Sequence, residues 1–194
     1  MHSTREALVA TTIDLVQEVG WAGLNLRDLA ARVGIRAPSI HHHFATKTDL
    51  GLACLRLLRQ EREAHSATLA ADHGDVRRRL LALGDLIAEK LDHEERSCPI
   101  YAFQAEFAIL PPPMQAEVSA WIEDVIAMLT RWFAEGRAAG QLRFIGTDRD
   151  QALVTWAVLQ QGTQLRRTHP DTDFTALVRH LVATVSASDA EGSR

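Results

Sequence analysis

The first fifty residues carry apolar side chains at helical spacing, and glycine interrupts this pattern twice. One apolar stripe precedes Gly20 and consists of Leu8, Thr12, Leu15, Val16 and Val19. A second stripe precedes Gly34 and consists of Leu26, Leu29, Ala30 and Val33. Apolar positions at this spacing predict amphipathic helices, and glycine is the residue that most often ends them. Two helices are therefore predicted, one ending at Gly20 and one at Gly34.

Capping signals mark where the next helices begin. Asn25 and Asp28 have the spacing of an N-cap and its third helical residue, and Thr46 and Asp49 repeat that spacing. A helix is therefore expected to begin near Lys47. Between the two caps, a short helix is predicted to turn the side chains of Ile35, Ile40 and Phe44 inward. Two short helices around a tight turn form a helix-turn-helix, which places one helix in the major groove of DNA.

The rest of the chain also follows the helical period. Helices are predicted at about 47–71, 75–93, 99–110, 113–139 and 148–168, with a last helix ending near residue 186. The chain is therefore predicted to be all-α, with about nine helices. We expect an N-terminal three-helix domain at 1–46, a larger helical domain at 47–186 and a disordered tail at 187–194. The run Arg77-Arg78-Arg79 is interpreted as a solvated helix face.

Residues 1–50 resemble the N-terminal domain of TetR-type (TetR/AcrR) bacterial transcriptional regulators. The matching residues are Gly20-Trp21, Leu26-Arg27-Asp28-Leu29-Ala30, Val33-Gly34-Ile35, His41-His42-His43-Phe44 and Lys47. The remainder agrees only in length and in its helical pattern. Four positions depart from the family pattern: Arg36 and Ala37 stand where Ser-Lys is usual, Pro38 lies in the first turn of the recognition helix, and His41 replaces a Tyr. The resemblance implies a DNA-binding domain followed by a ligand-binding and dimerisation domain.

Composition limits the class of protein. The 194 residues are 46% hydrophobic, which is enough for one large or two small domains. The sequence shows neither an apolar run of membrane-spanning length nor a secretory signal. Its two cysteines do not make a disulfide framework. A cytoplasmic protein is therefore expected. The net charge is −4, and residues 1–50 hold five basic and five acidic side chains. Nonspecific DNA affinity should therefore be modest, because it arises from cations meeting phosphates.

The cations of the helix-turn-helix nevertheless lie near its outer side, where Arg27, Arg36 and Lys47 flank the predicted groove helix. The residues expected to face base edges are Arg36, Ala37, Ser39 and His42. Those expected at phosphates are His41, His43 and Lys47, together with the backbone N–H groups of Thr46 and Lys47. The three histidines do not predict a metal site, since successive helical side chains diverge by about 100°. No cofactor is expected.

The last two predicted helices carry apolar faces that suit either a dimer interface or the core of a monomer. One face includes Val154, Val158, Gly162 and Leu165, and the other includes Phe174, Leu177, Leu181 and Val185. Periodicity alone leaves both interpretations open. The family resemblance favours a homodimer. Two copies would then set two recognition helices about 34–36 Å apart on a palindromic operator in double-stranded DNA.

Large apolar and polar side chains in the middle helices are candidates for a small-molecule pocket. They are Tyr101, Phe103, Glu106, Phe107, Trp121, Met128, Trp156 and Gln160. Aromatic walls with a few polar groups are typical of such pockets, although any one of these residues could simply fill the core.

Cys98 precedes Pro99 near a predicted helix start, and this position favours a reactive thiolate that could sense oxidants or electrophiles. The alternative is that Cys98 is a small buried apolar residue, as free cysteines commonly are.

Two other classes of protein fit the sequence less well. An enzyme would need a nucleophile, a base and an orienting group, and the sequence shows no such motif. A pure interaction bundle would have no use for a doubly capped helix-turn-helix. We therefore expect a ligand-responsive repressor in which ligand entry tilts the helix at 47–71 and spreads the two recognition helices. The effector and the operator sequence stay open, as does activation instead of repression.

Overall fold

The computed structural model describes residues 3–94 and 98–187. Within these residues the chain is all-α, with eight α-helices and two 3-10 helices. The α-helices are α1 Thr4–Gly23, α2 Leu26–Val33, α3 Lys47–Asp72, α4 Val76–Glu94, α5 Pro99–Ala105, α6 Pro112–Ala138, α7 Asp148–Thr168 and α8 Phe174–Val185. The 3-10 helices are Ala37–His42 and Phe107–Ile109. In this described portion no helix is both long and apolar enough to cross a membrane.

The chain forms two compact units that do not follow its linear order. The first unit comprises residues 1–63 and 96–122, and the second comprises residues 64–95 and 123–194. The long helices α3 and α6 each contribute to both units. The expected tail at 187–194 lies outside the described residues except for Ala187.

In the first unit, helix α1 begins with a capping box formed by Ser3 and Glu6. Gly20 interrupts α1 with φ +75°, a left-handed conformation that glycine adopts without steric cost. Helix α2 begins at an Asn25 cap and ends at Gly34, which has φ +77°. Both glycine breaks predicted from the sequence are therefore confirmed.

The predicted recognition helix is a 3-10 helix, Ala37–His42. Arg36 precedes it and makes no side-chain cap hydrogen bond, as expected for a residue that cannot act as an N-cap acceptor. Pro38 occupies the first turn, where a missing N–H group costs nothing. Ile40 and Phe44 are buried, so the inward side of this short segment is fixed by apolar packing.

Trp21 lies at the centre of the first unit. Its ring is 6.0 Å from the ring of Phe103, and α1 packs against α5. A Cβ atom built on Gly51 would lie 2.7 Å from Trp21 and 2.5 Å from Met114, so α3 passes close to both side chains only because residue 51 is glycine. The tryptophan therefore connects α1, α3, α5 and α6.

In the second unit, α8 packs against both α4 and α7. Gly84 lets α4 approach Val178, because an added Cβ atom would lie 2.6 Å from that side chain. Gly162 has the same role on α7, where an added Cβ atom would lie 2.9 Å from the Phe174 ring. Gly162 and Phe174 thus meet within one chain, and this contact removes them from the surface available to a second copy.

Arg79 corrects the interpretation of the arginine run as a solvated face. Arg79 is only 6% exposed, whereas Arg78 is exposed. The Arg79 guanidinium donates a 2.7 Å hydrogen bond to Glu135 and two more to the carbonyl oxygen of His73. It also lies 5.2 Å from the centre of the Trp132 ring. Periodicity could not separate Arg79 from its neighbours, because its burial depends on acceptors supplied by a loop and by α6.

One predicted helix is interrupted in the structure. The predicted helix at 99–110 consists of α5, which ends at Ala105, and the 3-10 helix Phe107–Ile109. Glu106 separates them with φ −104° and ψ 19°, outside the helical region. The prediction of one continuous helix is therefore wrong here, and the interruption turns the Glu106 side chain towards α1, as described below.

Candidate DNA interface and supporting contacts

The segment at 36–43, here called the reading segment, has a polar outer side. Arg36, His41, His42 and His43 are exposed. The two smallest predicted base-contacting residues, Ala37 and Ser39, are partly exposed. Ile40, at 1% exposure, holds the segment to the body of the unit. The structure thus brings the predicted base-facing residues together on one short element.

Two contacts support the C-terminal end of the reading segment. The guanidinium of Arg5 lies 4.8 Å from the centre of the Phe44 ring, a cation–π contact that ties the start of α1 to the end of the segment. The ring nitrogen Nδ1 of His41 lies 3.3 Å from the Ala45 carbonyl oxygen. Arg27, the remaining predicted cation, is exposed on the first turn of α2.

The start of α3 is closed by a reciprocal cap. The Thr46 N–H and hydroxyl both donate to the Asp49 carboxylate, at 2.9 and 2.8 Å, and the Asp49 N–H donates to the Thr46 hydroxyl. The Thr46 N–H that was assigned to a phosphate is therefore already used inside the protein. The N–H groups of Lys47 and Thr48 lie in the first turn, where an α-helix offers no acceptor of its own.

The Lys47 ammonium is also held internally. It donates a 2.8 Å hydrogen bond to the Trp21 carbonyl oxygen and lies 4.6 Å from the centre of the Trp21 ring. Partial burial lowers the pKa of Lys47, and the Glu106 carboxylate opposes that shift. In this conformation one ammonium N–H is directed at the Trp21 carbonyl, so a phosphate contact by Lys47 would use its other N–H groups.

Glu106 makes an unexpected contact with α1. One carboxylate oxygen, Oε2, accepts a 2.9 Å hydrogen bond from the Ala22 N–H. The other, Oε1, lies so close to Gly20 that an added Cβ atom would be 2.5 Å away. The sequence predicts Glu106 as a candidate contact in a small-molecule pocket. Its partner lies 84 residues earlier, and no periodic signal could have revealed it.

The remaining pocket candidates fall into both compact units. In the first unit, Phe103 and Trp121 are buried, and Phe103 is fully so. Tyr101 is partly exposed and Phe107 is 38% exposed. The second unit holds the buried Met128 and the partly exposed Trp156 and Gln160. The contact between Phe103 and Trp21 shows that this side chain fills the core of the first unit.

In the second unit, several apolar side chains of α7 and α8 are exposed or partly exposed. On α7, Val154 is 52% exposed, and Val158 and Leu165 are partly exposed. On α8, Leu177 and Leu181 are partly exposed and flank the buried line that contains Phe174. These five residues, Val154, Val158, Leu165, Leu177 and Leu181, are called the α7–α8 surface below.

The two cysteines have different surroundings. Cys54 is fully buried on α3, its thiol lies 3.6 Å from the Val9 carbonyl oxygen, and burial raises its pKa to about 12. Cys98 is partly exposed immediately before α5, and its carbonyl oxygen accepts the Tyr101 N–H. A thiolate is the reactive form, so the two thiols should react at very different rates.

We expect a thiol reagent such as Ellman's reagent to modify Cys98 in the folded protein and to leave Cys54 unmodified near neutral pH. Cys54 becomes reactive only after unfolding, because its thiol is both shielded and protonated. Mass spectrometry of peptides from native and denatured protein measures this. The Cys98→Ser variant is the control. If one thiol per chain of the folded Cys98→Ser variant reacted rapidly with the reagent, that result would contradict the burial of Cys54.

Comparison with known proteins places this arrangement in a family. The model for "Bacterial regulatory proteins, tetR family" matches residues 8–54, which include the reading segment. The model for "Tetracyclin repressor-like, C-terminal domain" matches residues 76–182, more than half of the chain. The chain belongs to the TetR family. The family resemblance of residues 1–50 is thereby confirmed and extended to the larger helical domain.

TetR-family relatives match this chain over different lengths. The HTH-type transcriptional repressor NemR of Escherichia coli K12 is 29% identical over 94% of this chain and 96% of its own. A class C tetracycline repressor from E. coli is 41% identical over 24% of this chain and 21% of its own. These relatives are transcriptional regulators, a class of protein that is not enzymatic.

Solved structures show the same TetR-family fold. A TetR-family regulator from Agrobacterium tumefaciens superimposes with a TM-score of 0.91 at 27% identity, covering 95% of this chain and 98% of the other. The reduced form of E. coli NemR superimposes with a TM-score of 0.81 at 24% identity, covering 97% and 100%. The all-α prediction, with its N-terminal helix-turn-helix, is confirmed.

Proposed function

We propose that this protein is a ligand-responsive transcriptional repressor. It binds a palindromic operator in double-stranded DNA as a homodimer, in the cytoplasm, and a small-molecule effector releases it. The observation that carries the proposal is the reading segment, which exposes Arg36 and three histidines while Ile40 and Phe44 hold it from within. A surface of this kind within a TetR-family chain suits contact with a DNA groove. The full-length relative NemR is a transcriptional repressor.

Within this proposal, Arg36 is the main reader of base edges. Its guanidinium offers paired donors that match the O6 and N7 acceptors of guanine, and Ser39 and the Ala37 methyl group supply smaller contacts. His42 faces the bases, and His41 and His43 face phosphates, together with Arg27. At the start of α3, the phosphate donors are the first-turn N–H groups and the ammonium N–H groups of Lys47 that the Trp21 carbonyl does not use.

Dimerisation through the α7–α8 surface brings two reading segments to one operator. An exposed apolar line on two adjacent helices is the kind of surface that a second copy covers in a symmetric dimer. Two helix-turn-helix units related by a two-fold axis require half-sites about 34–36 Å apart, one turn of DNA. A single helix-turn-helix would not bind DNA tightly by itself, because the N-terminal 50 residues carry no excess of positive charge.

The effector acts by binding more tightly to a conformation with low operator affinity. A ligand shifts such an equilibrium only by its difference in affinity for the two conformations. The proposed ligand contacts in the first unit are Tyr101, Phe107 and Trp121; those in the second unit, taken separately, are Met128, Trp156 and Gln160. Each set combines aromatic or apolar side chains with a polar group, which suits an aromatic or extended apolar molecule with a few polar groups.

The proposal is tested on DNA from upstream of the protein's own gene. We expect the purified protein to bind a palindromic segment of that DNA, and Arg36→Ala to weaken this binding about tenfold or more, as loss of a bidentate base contact implies. Fluorescence anisotropy at one fixed salt concentration measures both affinities. Arg78→Ala, which removes an exposed arginine from α4, is the control and should bind as the wild type does. Equal binding to scrambled DNA would contradict the proposal.

A second candidate is a redox or electrophile sensor of the same family acting through Cys98. Two observations favour it: Cys98 is partly exposed next to α5, and one solved NemR structure is described as the reduced form of that protein. Alkylation of Cys98 would then weaken operator binding. Unchanged operator affinity after complete alkylation, compared with treated Cys98→Ser protein, would remove this candidate.

A further inference from the structure

We propose that Glu106 is a positioning residue for DNA binding, because its carboxylate and the Lys47 ammonium clamp residues 20–22 of α1 from two sides. This inference rests on the proposed function. It reassigns Glu106 from the effector pocket to the coupling between α5 and the reading segment. Every group involved belongs to the first compact unit.

The clamped residues need partners from outside their helix. Gly20, with φ 75° and ψ 171°, interrupts the helical hydrogen-bond ladder of α1 just before Ala22. Glu106 supplies the acceptor for the Ala22 N–H at 2.9 Å. A hydrogen bond from a backbone N–H to a carboxylate is stronger than one between neutral groups. The end of α1 is therefore held by a side chain of the α5 region.

The glycine also makes room for the carboxylate. A Cβ atom at position 20 would lie 2.5 Å from Oε1 and 3.0 Å from the carboxyl carbon of Glu106. Any other residue here would displace the acidic side chain and would also meet a positive φ. Gly20 therefore allows both the positive φ of the turn and the close approach of the Glu106 carboxylate to α1.

Lys47 holds the same turn from α3. Its ammonium bonds to the Trp21 carbonyl at 2.8 Å and lies over the Trp21 ring, while the Leu24 N–H bonds to the same carbonyl at 3.3 Å. The Glu106 carboxylate acts electrostatically on Lys47. The start of α3 and the end of α5 are therefore joined through three residues of α1.

This clamp lies two packing steps from the DNA-facing side. Helix α1 packs against α2, and α2 packs against the 3-10 helix Ala37–His42. Lys47 itself follows the reading segment by four residues. A shift of α5 that withdraws Glu106 would free the end of α1 and change how α1, α2 and the reading segment are held. The interruption at Glu106 thus gives the predicted effector-binding helix a direct connection to the DNA-binding helices.

The test separates the hydrogen bond at Glu106 from its charge. Glu106→Ala removes both, whereas Glu106→Gln keeps an oxygen that accepts the Ala22 N–H. Glu117→Gln is the matched control, since that carboxylate lies in the same unit and faces Arg56 and Arg59 at 3.8 Å. Operator affinity is measured by anisotropy on the upstream palindrome, and exchange of the Ala22 amide is measured by NMR in the full-length protein.

We expect Glu106→Ala to weaken operator binding about tenfold and to speed Ala22 amide exchange by a similar factor, as loss of a charge-assisted hydrogen bond implies. Glu106→Gln should restore both to within about threefold, and Glu117→Gln should change neither. Faster exchange with unchanged operator affinity in Glu106→Ala would overturn the inference, as would a Gln variant as weak as the Ala variant. Wild-type protein that binds no upstream palindrome would contradict the proposed function, and the inference with it.

Discussion

Val154→Asp is expected to convert the protein to a monomer and to reduce operator affinity about 100-fold or more, the gain that two linked contacts normally give over one. Val154 is 52% exposed on α7, so the aspartate costs the isolated chain little. In a dimer formed through the α7–α8 surface it would place a charge in an apolar contact, where an unpaired charge is strongly unfavourable. Analytical ultracentrifugation measures the mass, and anisotropy measures the affinity.

Ile145→Asp is the matched control for this result. Ile145 is 99% exposed in the loop between α6 and α7, so the same apolar-to-acidic change is made outside the α7–α8 surface. The control should remain dimeric and bind the operator like the wild type. A Val154→Asp protein that stays dimeric would place the interface elsewhere. A wild-type protein that is monomeric at operator-binding concentrations would contradict dimerisation itself.

The largest expected effect on stability is at Arg79. We expect Arg79→Ala to lower the free energy of unfolding by about 2–4 kcal/mol, since it removes charge-assisted hydrogen bonds and leaves the partly buried His73 carbonyl oxygen without its two donors. The lost contacts are the bonds to Glu135 and to the His73 carbonyl, and the packing on the Trp132 ring. Urea denaturation at one fixed protein concentration measures the change, because stability of a dimer depends on concentration.

Arg78→Ala shows whether burial or charge causes the effect at Arg79. Arg78 is the adjacent residue on α4 and is exposed, so its removal should change the unfolding free energy by less than about 0.5 kcal/mol. Equal destabilisation by the two variants would mean that the arginine run acts through its overall charge. That result would contradict the buried contacts described for Arg79.

Local signals were sufficient to predict most of the fold. The glycines at 20 and 34 and the Thr46 cap each act on the backbone within one turn of themselves. The start of α3 at Lys47 and both ends of α7 therefore agree with the sequence. The interruption at Glu106 was missed because the residues on either side of it keep a helical apolar spacing.

The contacts that distinguish this chain from a generic helix-turn-helix join residues far apart in sequence. Glu106 bonds to Ala22, Lys47 bonds to Trp21, and Arg79 bonds to Glu135, across 84, 26 and 56 positions respectively. Periodicity reports which face of a helix is apolar, and it carries no information on which polar side chain meets which distant backbone group. The outer residues of the reading segment were predictable because their exposure follows from one short amphipathic element.

Hydroxyl-radical footprinting of the wild-type protein on its upstream palindrome tests the central claim most directly. Two reading segments related by a two-fold axis should protect two patches centred about 10 base pairs apart on one face of the DNA. Arg36→Ala should weaken both patches together. A single asymmetric patch, or no protection at concentrations where the protein is dimeric, would contradict the account.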